Sequence, residues 1–151
     1  MDKIQYMRLA LKEAQKAEKI DEVPIGAIIV KDGKVIARAH NKKESKNQAT
    51  RHAEIEAIEK ATKKVNNWWL EDCDMYVTLE PCAMCAGALI NSRLRAVYYG
   101  AYDKKAGCCG SLYNLPTDSR FNHRLTVEGG ILEEECASIL TNYFRKKRNK
   151  L

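Results

Sequence analysis

Met75-Tyr76-Val77-Thr78-Leu79-Glu80-Pro81-Cys82-Ala83-Met84-Cys85-Ala86-Gly87-Ala88 is the stretch whose reading decides the fold. Met75 to Leu79 combine β-branched, aromatic and aliphatic side chains over the length of one strand. Pro81 suits the first position of a helix, and the small and apolar residues behind it predict a helix to about Asn91. Leu94 to Tyr99 is the next strand. Strand, crossover helix and strand over so short a length imply a parallel βαβ unit, right-handed by the general rule. The same stretch carries chemistry. Cys82 and Cys85 are three residues apart, on one face of the predicted helix. Cys82 falls in its first turn, where unpaired N–H groups favour a thiolate.

Working outward, Pro24 to Val30 is a β-branched apolar run of the kind found in central strands. Asp32-Gly33 follows, a strong hairpin signal, and Val35 to His40 is the returning antiparallel strand. Before it, Ile4, Met7, Leu11 and Ala14 recur at helical spacing with Ala10 and Ala17 beside them. Residues 2–19 are therefore predicted as an amphipathic helix capped by Asp2. Asn41 to Thr50 reads as loop. A helix is expected from Thr50–His52 to about Lys63, burying Ile55, Ile58 and Ala61. Gly100, Gly107 and Gly110 punctuate a loop ending at Ser111-Leu112, and Leu125 to Val127 is a short strand. A last helix, about 132–148, is expected to bury Leu132, Cys136, Ile139, Leu140 and Tyr143. The fold class is α/β: a three-layer α/β/α sandwich around a mixed five-stranded sheet. The pattern leaves the strand order open beyond the hairpin and the βαβ unit.

With 151 residues, 45% of them hydrophobic and 30% charged, the chain has the dimensions of one soluble domain, 1–151. The N-terminus lacks the apolar core of a signal peptide and no apolar run approaches bilayer length, so a cytoplasmic location and no membrane are expected. In that setting the six cysteines read as metal ligands or reduced thiols rather than disulfides. The net charge of +6 favours an anionic partner, and Arg145 to Lys150 concentrates five of the cations.

His52-Ala53-Glu54, 30 residues upstream of Cys82, belongs with the two cysteines. His52, Cys82 and Cys85 are three ligands of the type that hold a catalytic zinc while leaving a fourth position open for water. Zinc lowers the pKa of such a water toward about 7, and Glu54 is a carboxylate available to move its protons. Residues two apart on a regular helix diverge, so His52 and Glu54 converge only at a helix start. Two other readings of Cys-x-x-Cys remain. Structural zinc needs a fourth ligand, for which Cys73, Cys108, Cys109, Cys136, His40 and His123 are candidates. A redox pair gives no reason for His-x-Glu.

His-x-Glu followed by Pro-Cys-x-x-Cys resembles the signature of the cytidine-deaminase-like zinc deaminases. Val23 to Ala27, Tyr76 to Ala88, Gly110 to Leu112, Phe121 to Arg124 and Glu134 to Arg148 are similar, more narrowly, to the bacterial tRNA-specific adenosine deaminases. The resemblance covers nearly the whole chain. It implies hydrolytic deamination of adenosine to inosine at the wobble position of a tRNA anticodon stem-loop. It implies one Zn2+ per chain on His52, Cys82 and Cys85, with Glu54 as proton shuttle. By the same resemblance Asn41 contacts the flipped purine, Pro81 lines its pocket, and Asp103, Lys104, Asn122 and His123 touch neighbouring nucleotides. Such proteins are homodimers in which the partner helps to hold the RNA. Two departures stand out: Arg51 before the zinc histidine, and Cys108-Cys109 in the glycine-rich loop. The rival on the same fold is a deaminase of a free base or nucleotide such as guanine, cytosine or dCMP.

Phe144 is read either as a base-stacking or as a core aromatic. Arg145 and Arg148 are expected to contact phosphates of the stem, against the alternative that they complement a helix dipole in solvent. Trp68-Trp69 is expected to pack under the sheet or at a dimer surface. Glu80 is expected to be a helix-start carboxylate near the site, and Cys73 and Cys136 to be small buried residues.

Overall fold

Side chains alternate in and out along two neighbouring strands, and this divides the molecule into layers. In the computed structural model, which describes residues 1–149, β1 (Gly26–Lys31) and β3 (Cys73–Leu79) lie side by side and antiparallel. Ala27 and Ile29 of β1 join Met75 and Val77 of β3 in one core cluster, and Ile28 and Val30 join Tyr76 in a second. The first core is covered by α2 (Ala53–Val65) and α3 (Ala83–Asn91), through Ala53, Ala57, Ala61, Ala86 and Leu89. The second is covered by α1 (Lys3–Lys19) and α4 (Glu133–Asn149), through Met7, Ala10, Leu11 and Cys136. Helices on both faces of one sheet give the predicted α/β/α sandwich.

The sheet has five strands in the order β2-β1-β3-β4-β5, completed by β2 (Lys34–His40), β4 (Ala96–Ala101) and β5 (Thr126–Glu128). The β1–β2 and β1–β3 pairs are antiparallel, and β3–β4 and β4–β5 are parallel, so the sheet is mixed as expected. The hairpin turns on Asp32 and Gly33, both at positive φ (51° and 74°), the conformation a two-residue loop needs to match strand twist. Asp2 caps α1 in a reciprocal box with Gln5, both bonds being 2.9 Å.

Several expectations are corrected. Ile4 is exposed, and Tyr6 takes its place in the core by packing its ring 5.1 Å from that of Tyr76. On α2 the buried stripe is Ala53, Ala57 and Ala61, with Ile55 and Ile58 only half-buried: alanines let the helix sit close to the sheet. Gly100 lies within β4 rather than in the following loop. Leu132 adopts a left-handed φ of 53° and α4 begins after it, so Cys136 and Tyr143 are its buried residues while Leu132, Ile139 and Leu140 are half-buried. Trp68 and Trp69 are exposed, packed edge to face against each other rather than under the sheet. Lys150 of the basic run lies outside the described residues.

Candidate active site

Two helix N-termini meet at the site, and neither is capped by its own side chain. α3 starts two residues later than Pro81 suggests. Cys82 is extended (φ −75°, ψ −179°) and occupies the N-cap, so it precedes the first turn rather than lying in it. His52 is the N-cap of α2, also extended (φ −75°, ψ 155°). An N-cap residue usually turns its side chain onto its own helix. Here both side chains turn toward each other instead. His52 Nδ1 lies 3.7 Å from Cys82 Sγ and 3.6 Å from Cys85 Sγ. The extended backbone at His52 also answers the geometric objection to His-x-Glu, since the helix begins only between the two residues.

The ligand atoms of His52, Cys82 and Cys85 all fall within 4.8 Å of one another. A tetrahedral zinc with bonds of about 2.3 Å to sulfur and 2.0–2.1 Å to nitrogen sets its ligands about 3.6 Å apart, so the trio fits that ion. Among the described residues no fourth cysteine or histidine joins the group, which removes the four-ligand structural site. The other four cysteines are free and buried, and Cys136 belongs to the opposite core.

Electrostatics favour a cation between these groups. The Cys82 thiol is pulled down to about 3, first by its hydrogen bond with Cys85 and also by His52, against the opposing effect of burial. Cys85 is driven up by the neighbouring Cys82 sulfur and by burial. One negative charge is thus shared by two sulfurs, and a bound dication releases the second proton. Glu54 is 4% exposed. Burial pushes its carboxyl up to about 7, opposed by its own backbone N–H and by His52. A carboxyl held there can both accept and return a proton at neutral pH.

Asn41 is buried and its Oδ1 accepts from Ala53 N at 2.8 Å, so Asn41 caps α2 in place of His52. Its amide nitrogen is left as a donor. Pro81 is buried, and its carbonyl accepts from Cys108 N at 2.9 Å. That bond anchors the 103–111 loop beside the metal trio. Asp103, Lys104 and Phe144 come together on the wall of a cavity of about 810 Å3, with Leu79, Ser111 and Leu140. His52, Glu54, Cys82 and Cys85 do not line it. Phe144 is 44% exposed, which places it on the surface side of the two readings. Arg145 and Arg148 are exposed on the last turns of α4.

Asn122 and His123 are placed elsewhere. Asn122 Oδ1 accepts from Arg93 Nη1 at 3.0 Å and His123 Nε2 donates to Leu94 O at 2.7 Å. Both therefore sit at the C-terminal end of α3, and at 1.5 Å per residue that is about 15 Å from Cys82. Within one chain they do not join the site. The two departures also resolve. Arg51 Nη1 bonds both oxygens of Glu59, at 3.0 and 2.9 Å, and Cys108 and Cys109 turn inward as buried side chains. Glu80, expected as a helix-start carboxylate near the site, is buried and holds the 103–111 loop through backbone N–H groups. Glu22, a buried carboxylate that holds a loop in the same way, escaped sequence reading, because such an arrangement has no residue signature.

The sequence pattern of the MafB19-like deaminase family matches residues 1–148. The chain is 51% identical over 145 residues to a tRNA-specific adenosine deaminase of Bacillus subtilis, covering 96% of this chain and 90% of that protein. A solved structure from a study of A-to-I editing by tRNA:A34 deaminases at the wobble position superposes with a TM-score of 0.86 at 45% identity. It covers 90% of this chain and 99% of that one. A guanine deaminase of Bacillus subtilis is similar at a TM-score of 0.65 and 38% identity, over 68% of this chain and 66% of its own.

Proposed function

Because the chain belongs to the MafB19-like deaminases and, within them, to the tRNA-specific adenosine deaminases, we propose that it converts adenosine to inosine at the wobble position of a tRNA anticodon loop. Water adds at C6 of the purine, the C6–N bond breaks, and ammonia leaves. The observation that carries this reading is the His52–Cys82–Cys85 triangle with the buried carboxyl of Glu54 beside it. One zinc per chain is assigned to that triangle, and when bound there it supplies Lewis-acid activation of water.

The chain's own residues do the rest. Glu54, with its carboxyl near neutrality, takes the proton of the attacking water and delivers protons to the ring nitrogen and the departing amine. Asn41, fixed through Oδ1, offers its amide N–H to the purine. The backbone at Pro81 borders the base. Asp103, Lys104 and Phe144 meet the nucleotides beside the target, and Arg145 and Arg148 meet phosphates of the stem. Asn122 and His123 serve the active site of a second copy, across a homodimer. Residues 1–151 are taken as one deaminase domain acting in the cytoplasm; among the described residues no helix is long and apolar enough to cross a membrane.

The wide cavity and the cationic end of α4 favour a polynucleotide over a free base, because a small substrate needs neither. Offering the zinc-loaded chain an anticodon stem-loop beside free guanine, cytosine and dCMP decides between them. Inosine in the stem-loop supports the reading. Turnover of a free base with an untouched stem-loop replaces it by the small-substrate alternative.

A further inference from the structure

Glu80 precedes the Pro81-Cys82 step and is 2% exposed, yet its hydrogen-bond partners are neutral. Oε1 accepts from Asp103 N at 3.0 Å and from the Ser111 hydroxyl. Oε2 accepts from Cys109 N at 3.1 Å and Ser111 N at 2.9 Å. A buried carboxylate is costly unless its lone pairs are filled, and here three backbone N–H groups and a hydroxyl from one loop fill them. The loop closes around that one side chain. Gly107 is pressed so near the Glu80 carboxylate that a Cβ at this position would collide with it. Cys108 N bonds Pro81 O at 2.9 Å, and the Tyr99 hydroxyl bonds Cys109 O at 3.0 Å, so the far side of the loop is tied down too. Asp103, Lys104 and Ser111 on this loop form one wall of the 810 Å3 cavity.

We propose that Glu80 is a positioning residue, whose carboxylate fixes the 103–111 loop against the Pro81-Cys82 step and so sets the cavity wall that receives the nucleotides flanking the target. It touches neither substrate nor metal. The reading of those nucleotides rests on the tRNA deaminase assignment, whereas the hold on the loop does not. Glu80→Gln turns one acceptor oxygen into an amide that faces N–H donors, and so sets donor against donor. Ser111→Ala removes only the hydroxyl and keeps the backbone bonds.

The test combines amide hydrogen exchange of the RNA-free protein with kinetics on an anticodon stem-loop. In Glu80→Gln the amides of Asp103, Cys109 and Ser111 should exchange faster, with β1 and β3 unchanged. KM for the stem-loop should rise about tenfold, as expected for loss of hydrogen bonds to a charged group, with one zinc per chain and kcat nearly kept. Ser111→Ala should move both readouts in the same direction by less, and it serves if Glu80→Gln fails to fold. Unchanged exchange in the loop overturns the clamp. Faster exchange with unchanged KM, or a fall in kcat alone, overturns the positioning role and leaves Glu80 a structural group. A wild-type chain inactive on the stem-loop defeats the tRNA assignment, and the exchange comparison still decides the clamp.

Discussion

His52 and Cys82 occupy positions where serine, threonine or aspartate would each stabilise a helix by about 1 kcal/mol, and neither caps anything. A local rule is broken twice at one point, as expected where function outranks helix stability. Asn41 makes good part of the loss by capping α2 from outside through Ala53 N. Its two jobs can be separated. Asn41→Asp keeps the acceptor and should melt close to wild type while losing activity with the amide donor. Asn41→Ala should lose activity and also about 1 kcal/mol of stability, read by denaturant unfolding of the zinc-loaded protein. Equal stability of the two variants would remove the cap from the account. For Glu54 the expectation is sharper. Glu54→Ala should retain one zinc per chain by metal analysis and lose about 10²–10⁴-fold in turnover. Near-normal turnover would take the proton shuttle away from it.

At the scale of elements, the legible features were those written in side-chain type. Asp32-Gly33 announced the β1–β2 hairpin, and the strand, proline and small apolar run from Met75 announced β3 and α3. What depends on where backbone goes was not legible. The start of α3 after Cys82 follows from an extended ψ that Pro81 does not dictate. The order β2-β1-β3-β4-β5 depends on long-range pairing. Loop-holding carboxylates were invisible because their partners are N–H groups that every residue owns. Glu22 is the second of these: it accepts from Glu44 N, Ser45 N and the Ser45 hydroxyl, and it holds the loop that follows β2. Burial raises its pKa, but the bonds from Ser45 and Glu44 outweigh burial and the net shift is downward, with His40 adding to it. A carboxyl lowered in the folded state contributes stability above its unfolded pKa of about 4.3 and loses it as pH falls through its folded pKa. Acid titration of unfolding free energy should therefore fall more steeply below about pH 4.3 for wild type than for Glu22→Gln. Parallel acid limbs would show that folding leaves the Glu22 pKa unshifted and would remove this contribution.

For the whole molecule, the placement of Asn122 and His123 is the point on which an isolated chain and a dimer differ. They are bonded to Arg93 and Leu94 at the end of α3 opposite Cys82. A motif read along the sequence carries no information on which copy's site it serves. If they act in trans, a mixed dimer of Glu54→Ala with Asn122→Ala/His123→Ala contains one site with every group intact. Mixing the two inactive proteins should then restore about half of wild-type turnover per mixed dimer, the share expected for one competent site in two. No recovery, with exchange of subunits verified, would return both residues to their own chain. The central claim is the conversion of the wobble adenosine, and sequencing tRNA from cells with and without this chain tests it most directly. The account predicts wobble adenosine read as guanosine when the chain is present, and as adenosine when it is absent or carries Glu54→Ala. Inosine at that position undiminished in its absence would contradict it.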